Sequence, residues 1–249
     1  MEPYVKLKNK NEVGYIEFFH PAHNSLPGNL LSELARAITN AGEDDSIKVI
    51  VLQSGGDRTF CAGASFEELV AIQNEETGKE FFSGFANVIN AMRKCPKFII
   101  GRVQGKTVGG GVGLASATDY CMATKYAEIK LSELNVGIGP FVVGPAVQRK
   151  LGLSGMSQIA MDANNFYSAE WAQQKGLYTK VFDSVEHLDE AVKTFAESLC
   201  KYNPKAMTEM KTMFWRGTED WDQLLVQRAK ISGRLVLSEF TKETLIKFR

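Results

Sequence analysis

Two short stretches near the start of the chain alternate between polar and apolar residues. YVKLK and VGYIEFF, which the turn-like NKNE joins, predict two strands. The stretch LLSELARAITNAG then spaces its apolar residues as a helix does, and the compact apolar run IKVIVLQS predicts a buried strand that ends at the turn SGGD. The first part of the chain therefore predicts alternating strands and helices.

The middle of the chain continues this alternation. After FCAGAS, two stretches have helical spacing, FEELVAIQ and KEFFSGFANVINAMRKC, and Pro96 separates the second from the strand FIIGRVQG. A glycine triplet with a short helix follows, and then the strands DYCMAT and AEIKL. The order strand, turn, helix, strand predicts parallel pairing with crossover helices.

The chain becomes mostly helical from about residue 142. One strand, YTKVF, interrupts this region, and three longer helices are predicted after it. These are VEHLDEAVKTFAESLCKY, PKAMTEMKTMFW and WDQLLVQRAKISGRLVL. Neither a repeat nor a low-complexity linker marks a boundary, so the pattern predicts an α/β core followed by a helical tail.

Composition narrows the function classes. The chain has 249 residues, with 44% hydrophobic and 23% charged residues, as is ordinary for a globular protein. Lys and Arg together number 29, as do Asp and Glu, so the formal net charge is zero and gives no case for nucleic-acid binding. Because no apolar run reaches the ~18 residues that span a bilayer, we also expect no membrane insertion.

Cysteine and histidine usage predicts a reduced compartment and no metal site. The four cysteines show no CxxC spacing, and the start MEPYVKLKNK lacks the apolar core of a signal peptide. We therefore expect reduced thiols and a cytoplasmic location. The three histidines form no HExxH or similar pattern, so a zinc site is not expected.

Three stretches contain residue types suited to chemistry. FCAGAS and GKTVGGGVGLAS each place small residues before a helix, where unpaired N–H groups can face an anion or a carbonyl oxygen. KLSELNVGIGPF places one acidic residue, Glu133, among apolar neighbours, where burial would raise its basicity. Taken one at a time, they also fit a tight turn, close helix–strand packing and an exposed glutamate.

The order and spacing of these stretches resemble the crotonase superfamily, the enoyl-CoA hydratase/isomerase family. The matching segments are HPAHNSL (20–26), FCAGAS (60–65), GGGVG (109–113) and SELNVG (132–137), with later counterparts in VQRKLG (147–152) and SAEWAQQKGL (168–177). The resemblance implies a crotonase-type ββα spiral core over residues 1–190 and a helical C-terminal trimerisation region over 191–249. It further implies a homotrimer or a dimer of trimers.

The resemblance also implies a substrate and the residues that hold it. The substrate would be an acyl-CoA thioester, with coenzyme A as part of the substrate and no separate cofactor. The N–H groups of Ala64 and Gly110 would form an oxyanion hole for the thioester oxygen. The other implied substrate-binding residues are Ala22 and His23 near the coenzyme A moiety, with Ala62, Gly63, Ser65, Phe66, Gly109, Gly113 and Pro140. Ser65 stands where the family often has Asp.

Glu133 is the implied catalytic residue, and its usual partner is missing. Hydratases of the family use two glutamates, but the position of the first is Gly113 here, and nothing in the sequence places Asp119 or Glu128 over the substrate. Moving a double bond needs only one base. Adding water needs one group to activate the water and another to deliver a proton to the α-carbon. We therefore expect a single-base enoyl-CoA isomerase.

Four alternatives stay open at this point. A conventional 2-enoyl-CoA hydratase, a decarboxylase and a non-catalytic acyl-CoA-binding protein all fit the resemblance. A serine hydrolase using Ser65 or Ser116 is disfavoured, because the chain has no GxSxG elbow.

The ending SEFTKETLIKFR departs from the EGxxAF that is usual in the family, which puts the usual C-terminal contact with coenzyme A in doubt.

Overall fold

The computed structural model describes residues 1–247 and contains two β-sheets there. The six-stranded sheet has the order β1-β2-β3-β5-β7-β9, and the smaller sheet has the order β4-β6-β8. The strands are β1 (Tyr4–Lys10), β2 (Val13–Phe19), β3 (Val49–Ser54), β4 (Thr59–Cys61), β5 (Ile99–Val103), β6 (Lys106–Val108), β7 (Tyr120–Thr124), β8 (Ile129–Lys130) and β9 (Lys180–Phe182).

The pairing of the strands confirms the expected architecture. β1 and β2 form an antiparallel hairpin, and every later pair in both sheets is parallel. Parallel neighbours require a crossover connection, which the helices between the strands supply. The result is a mixed α/β fold with a helical C-terminal region, as the sequence predicts.

The helices follow the predicted spacing with two differences. The stretches VVGPAVQRKLG and SGMSQIAMD, whose spacing predicts two separate helices, form one helix, α5, with a kink at Gly152, whose φ of 69° lies outside the helical region. α10 was not predicted, because its eight residues bury only Thr241 and Leu245 and its apolar periodicity is weak. The helices are α1 (Gly28–Glu43), α2 (Phe66–Val70), α3 (Glu75–Lys94), α4 (Gly110–Ala117), α5 (Gly144–Met161), α6 (Ala169–Gln174), α7 (Val185–Leu199), α8 (Pro204–Phe214), α9 (Trp221–Leu235) and α10 (Glu239–Ile246).

The large sheet is buried on both faces. Ile50 and Leu52 of β3 belong to the main core beneath α1 and α3, whereas the alternate residues Val49 and Val51 pack with Leu188 and other apolar residues of α7. A strand covered on both sides is apolar at successive positions, which explains the continuous run in IKVIVLQS. The expected boundary between residues 190 and 191 falls inside α7, so the backbone is helical across it.

A buried ion pair fixes α8 to the core. Lys211 of α8 lies 2.9 Å from Asp119, with side chains 2% and 6% exposed. The Trp215 indole N–H also donates to Asp119 Oδ1 at 2.8 Å. Asp119 therefore has a structural position at the start of β7.

The helices also bear on the membrane prediction. Within residues 1–247, no helix is both long and apolar enough to cross a membrane. The cytoplasmic location stays a prediction.

Candidate active site

A cavity of about 740 Å³ lies where the two sheets, α3, α4 and the segment before α5 meet. All but two of the site residues that the sequence predicts line its wall. They are Ala22, Ala62, Gly63, Ala64, Ser65, Phe66, Gly109, Gly110, Glu133 and Pro140. Stretches that lie far apart in the sequence thus meet in one pocket.

The FCAGAS loop leaves the backbone N–H of Ala64 without a backbone acceptor among the described residues. Leu26 donates its N–H to the Gly63 carbonyl at 2.8 Å and accepts the N–H of Ser65 at 3.1 Å. In extended backbone, successive residues direct their polar groups to opposite sides, so the N–H of Ala64 points away from Leu26. Gly63 has a φ of +91°, which L side chains rarely adopt, so glycine suits this turn.

The start of α4 supplies a second donor beside the first. Gly109 caps the helix with a φ of 53°, and Val112 donates its N–H to the Gly109 carbonyl at 2.9 Å. The N–H of Gly110 lies in the first turn, where a helix offers no internal acceptor. A Cβ built on Gly63 would lie 3.6 Å from the Gly110 nitrogen, so the loop and the helix start are in contact. The positive end of α4 adds to the attraction for an anion.

Glu133 is the acidic residue at this point of the cavity. It begins a short 3₁₀ helix, Glu133–Val136, and a Cβ built on Gly109 would lie 3.2 Å from its Oε1. The residue is half-buried, but its Oε2 is buried and has no hydrogen-bond partner among residues 1–247. Burial raises the pKa of the Glu133 carboxyl to about 7. A carboxyl with this pKa can both take and return a proton near neutral pH.

Apolar side chains form another part of the wall. They come from α3, from the end of the 3₁₀ helix and from the segment that follows it, and the phenylalanine ring of Phe85 packs directly against Gly110. A Cβ on Gly110 would lie 2.5 Å from Phe85 Cε1, closer than real contacts allow. The apolar residues are Phe81, Phe82, Phe85, Val136, Ile138, Phe141, Val142 and Val143. Such a surface suits an acyl chain.

Two predicted residues lie outside this wall. His23 has a φ of 54° on an exposed turn, and its contact with a coenzyme A moiety stays a prediction. Gly113 is buried in α4 behind Val143, so the structure does not place it against a substrate. A Cβ on Gly113 would lie 2.5 Å from Val143 Cγ1 and 2.8 Å from Val143 Cβ.

The other carboxylates near the cavity or named as replacements for a missing acid are engaged or exposed. Asp119 is paired with Lys211, and Glu128 lies 3.4 Å from Lys106; neither lines the cavity. Glu68 does line it, but its Oε2 accepts the N–H of Gly28 at 2.9 Å. Glu67 also lines the cavity but is exposed on α2. Glu133 is therefore the candidate base.

Sequence reasoning missed Phe141 and Val143. Both follow Pro140 in the segment PFVVG, which has no charged or nucleophilic side chain to attract attention. Their position is decided by the packing of α5 against α4, which no local pattern shows. Phe85 lies at helical spacing with Phe81 and Phe82, and this pattern alone does not separate a core position from a pocket wall.

Comparison with known proteins agrees with this geometry. The profile of the enoyl-CoA hydratase/isomerase family matches residues 8–248. The peroxisomal Delta(3,5)-Delta(2,4)-dienoyl-CoA isomerase of Arabidopsis thaliana is 26% identical over 231 residues, which cover 86% of this chain and 81% of that protein. The short-chain-enoyl-CoA hydratase of Clostridium acetobutylicum is also 26% identical, over 98% of this chain and 94% of that protein.

Solved structures share the fold. The enoyl-CoA hydratase from Bacillus halodurans superposes with a TM-score of 0.90 at 22% identity, over 98% of this chain and 99% of that chain. The two curated relatives are named for different reactions, one an isomerase and one a hydratase. The chain belongs to the enoyl-CoA hydratase/isomerase family, within the crotonase superfamily.

Proposed function

We propose that this protein is an acyl-CoA double-bond isomerase that uses Glu133 as its one base. Glu133 takes a proton from C2 of a 3-enoyl-CoA thioester, and the electron pair moves into the thioester to form an enolate. The N–H groups of Ala64 and Gly110 hold the enolate oxygen. Glu133 then returns the proton to C4, the double bond moves to C2–C3, and no atom is gained or lost.

The observation that carries this proposal is the state of the Glu133 carboxyl. Its Oε2 is buried without a partner, and burial raises its pKa to about 7. An unpaired buried carboxyl costs stability, and such costs are typical of functional sites. One base above two fixed donors is sufficient for moving a proton between two carbons of the same substrate.

The composition of the wall supports an uncharged acyl chain. Among the described residues that line the cavity there is neither a lysine nor an arginine, and His20 uses its Nδ1 to accept the N–H of Ala22 at 3.3 Å. A decarboxylase would need a cation to hold the carboxylate of its substrate. This wall supports the isomerase over that alternative.

A panel of enoyl-CoA substrates tests the proposal. Pure protein is incubated with 3-enoyl-CoA and, separately, with 2-enoyl-CoA, and both double-bond migration and water addition are followed. We expect migration from 3-enoyl-CoA and little hydration. Hydration of 2-enoyl-CoA at an enzymatic rate without migration would instead establish a conventional hydratase. Tight acyl-CoA binding with no turnover on any member of the panel would establish a non-catalytic binding protein.

We further infer that the chain assembles as a homotrimer or a dimer of trimers through its C-terminal helices. Several large apolar side chains of α8 and α9 are exposed in the single chain, including Met213 at 52% and Phe214 at 43%. Exposed apolar patches of this kind are typical of contact surfaces. The mass in solution, measured by light scattering, tests this: a monomer at micromolar concentration would refute it.

A further inference from the structure

Val143 lies between the cavity and α4. It is the residue immediately before α5, it is 4% exposed, and it lines the cavity. Its backbone carbonyl accepts the N–H of Val147 at 3.0 Å, which fixes the start of α5. The side chain of Val143 faces Gly113 of α4.

The contacts at Gly113 show what keeps a side chain out of this position. A Cβ on Gly113 would lie 2.5 Å from Val143 Cγ1 and 2.8 Å from Val143 Cβ, both too close for real atoms. The next nearest atom, Ile89 Cδ1, would lie at 3.5 Å, an ordinary contact. Of the three nearest atoms, only the two of Val143 are too close, so Val143 is the side chain that a Cβ at position 113 would meet first.

We propose that Val143 determines the reaction type of this site by confining it to one carboxylate. The inference rests on the proposed role of Glu133. Adding water to 2-enoyl-CoA joins the hydroxyl of water to C3 and a proton to C2, so one group must hold and deprotonate the water while a proton reaches C2. Val143 places an isopropyl group where a carboxylate reaching from position 113 would enter, and this apolar surface also binds water poorly.

The distances rank a series of variants that tests the proposal. In Gly113→Glu alone, the new Cβ meets both Cγ1 and Cβ of Val143. Adding Val143→Ala still leaves the Val143 Cβ at 2.8 Å, whereas Val143→Gly removes both close atoms. We expect water addition to 2-enoyl-CoA only in Gly113→Glu/Val143→Gly, at a rate about 100-fold above that of Val143→Gly alone, the usual effect of one acid–base group.

A neighbouring residue provides the matched control. Val142 also lines the cavity and is 6% exposed, but it is not among the nearest atoms to a Cβ on Gly113. Gly113→Glu/Val142→Gly removes the same side-chain volume one position away and should not gain hydration. Melting temperature and binding of a saturated acyl-CoA show which variants are folded and have an intact cavity.

The outcomes separate the two proposals. The role of Val143 is overturned if Gly113→Glu alone adds water, if the Val142 control gains hydration equally, or if folded Gly113→Glu/Val143→Gly binds acyl-CoA without gaining hydration. Isomerisation of 3-enoyl-CoA by the unmodified protein is a separate readout. Its absence would refute the isomerase proposal, while the comparison of hydration rates among the variants would still decide the role of Val143.

Discussion

Replacing Glu133 with glutamine should stabilise the protein while removing its activity. The substitution keeps nearly the same shape but removes the negative charge from a carboxyl whose Oε2 is buried and unpartnered. Most substitutions of buried residues destabilise a protein, so a gain here would be informative. It would show that burying the ionised Glu133 carboxylate lowers the free energy of unfolding of the unmodified protein.

The size of the gain follows from the pKa. Burial raises the pKa of Glu133 from its ordinary 4.5 to about 7 in the folded protein. Between these values the folded protein holds the proton more tightly than the unfolded chain, so the free energy of unfolding falls as pH rises through this window. Each tenfold change in proton binding corresponds to about 1.4 kcal/mol, which gives a loss of about 3 kcal/mol above neutral pH and less than about 1 kcal/mol at pH ~5.

Urea unfolding of both proteins at about pH 5 and about pH 8 measures this difference. We expect Glu133→Gln to match the unmodified protein within about 1 kcal/mol at the lower pH and to exceed it by about 3 kcal/mol at the higher pH. Glu209→Gln makes the same chemical change on the exposed surface of α8 and should have little effect at either pH. Equal stability of the two proteins at the higher pH would refute the reasoning.

The same carboxyl should set the pH dependence of isomerisation. Because the base acts in its ionised form, kcat/KM should rise about tenfold for each pH unit below neutrality. It should level off once the pH exceeds the Glu133 pKa of about 7. Glu133→Gln should lower kcat by at least about 100-fold, as is typical for loss of a general base. A flat profile from about pH 5 to pH 8 would contradict the assignment.

Three further predictions concern the surrounding structure. Gly110→Ala should lower kcat about 100-fold or more, since the new Cβ would lie 2.5 Å from Phe85 Cε1 and displace the helix start that holds the donor; full activity would contradict this. Lys211→Ala should lower the free energy of unfolding by about 3 kcal/mol, because it leaves Asp119 buried without its cation; urea unfolding checks it, and a loss under ~1 kcal/mol would refute it. The four buried cysteines should react with a thiol-specific disulfide reagent only after unfolding, because burial raises the pKa of each thiol. Release of the reagent's coloured thiol product within minutes from the native protein would contradict this prediction.

Much of the fold could be predicted because its signals are local. The apolar run in β3 and the helical spacing in α1 and α3 result from which faces of each element are buried, and these periods are written in the sequence. α10 was missed for the same reason, since only Thr241 and Leu245 are buried and too few apolar positions repeat. Its main local signal is Ser238, which accepts the N–H of Thr241 and caps the helix.

The features of the candidate site also differ in whether a local sequence signal predicts them. Glycines at positions 63 and 109 and one acid at position 133 could be found from residue types, because a positive φ and a proton carrier each require particular side chains. That these segments share one cavity was implied by the family resemblance alone, and the structure shows it. The family resemblance implies that Gly113 contacts the substrate, whereas the structure places Val143 against Gly113. No local sequence pattern shows this contact, because Val143 lies at the start of a different helix, α5.

The sequence by itself determined the order of strands and helices, the glycine turns and the identity of the one candidate base. These depend on backbone preferences and on the chemistry of single side chains, which each residue carries with it. Only the tertiary structure decided that Glu133 is buried enough to raise its pKa to about 7 and that Val143 blocks Gly113. Both depend on atoms that lie far apart in the sequence and meet only in the folded chain, and desolvation and steric exclusion exist only once that packing has formed.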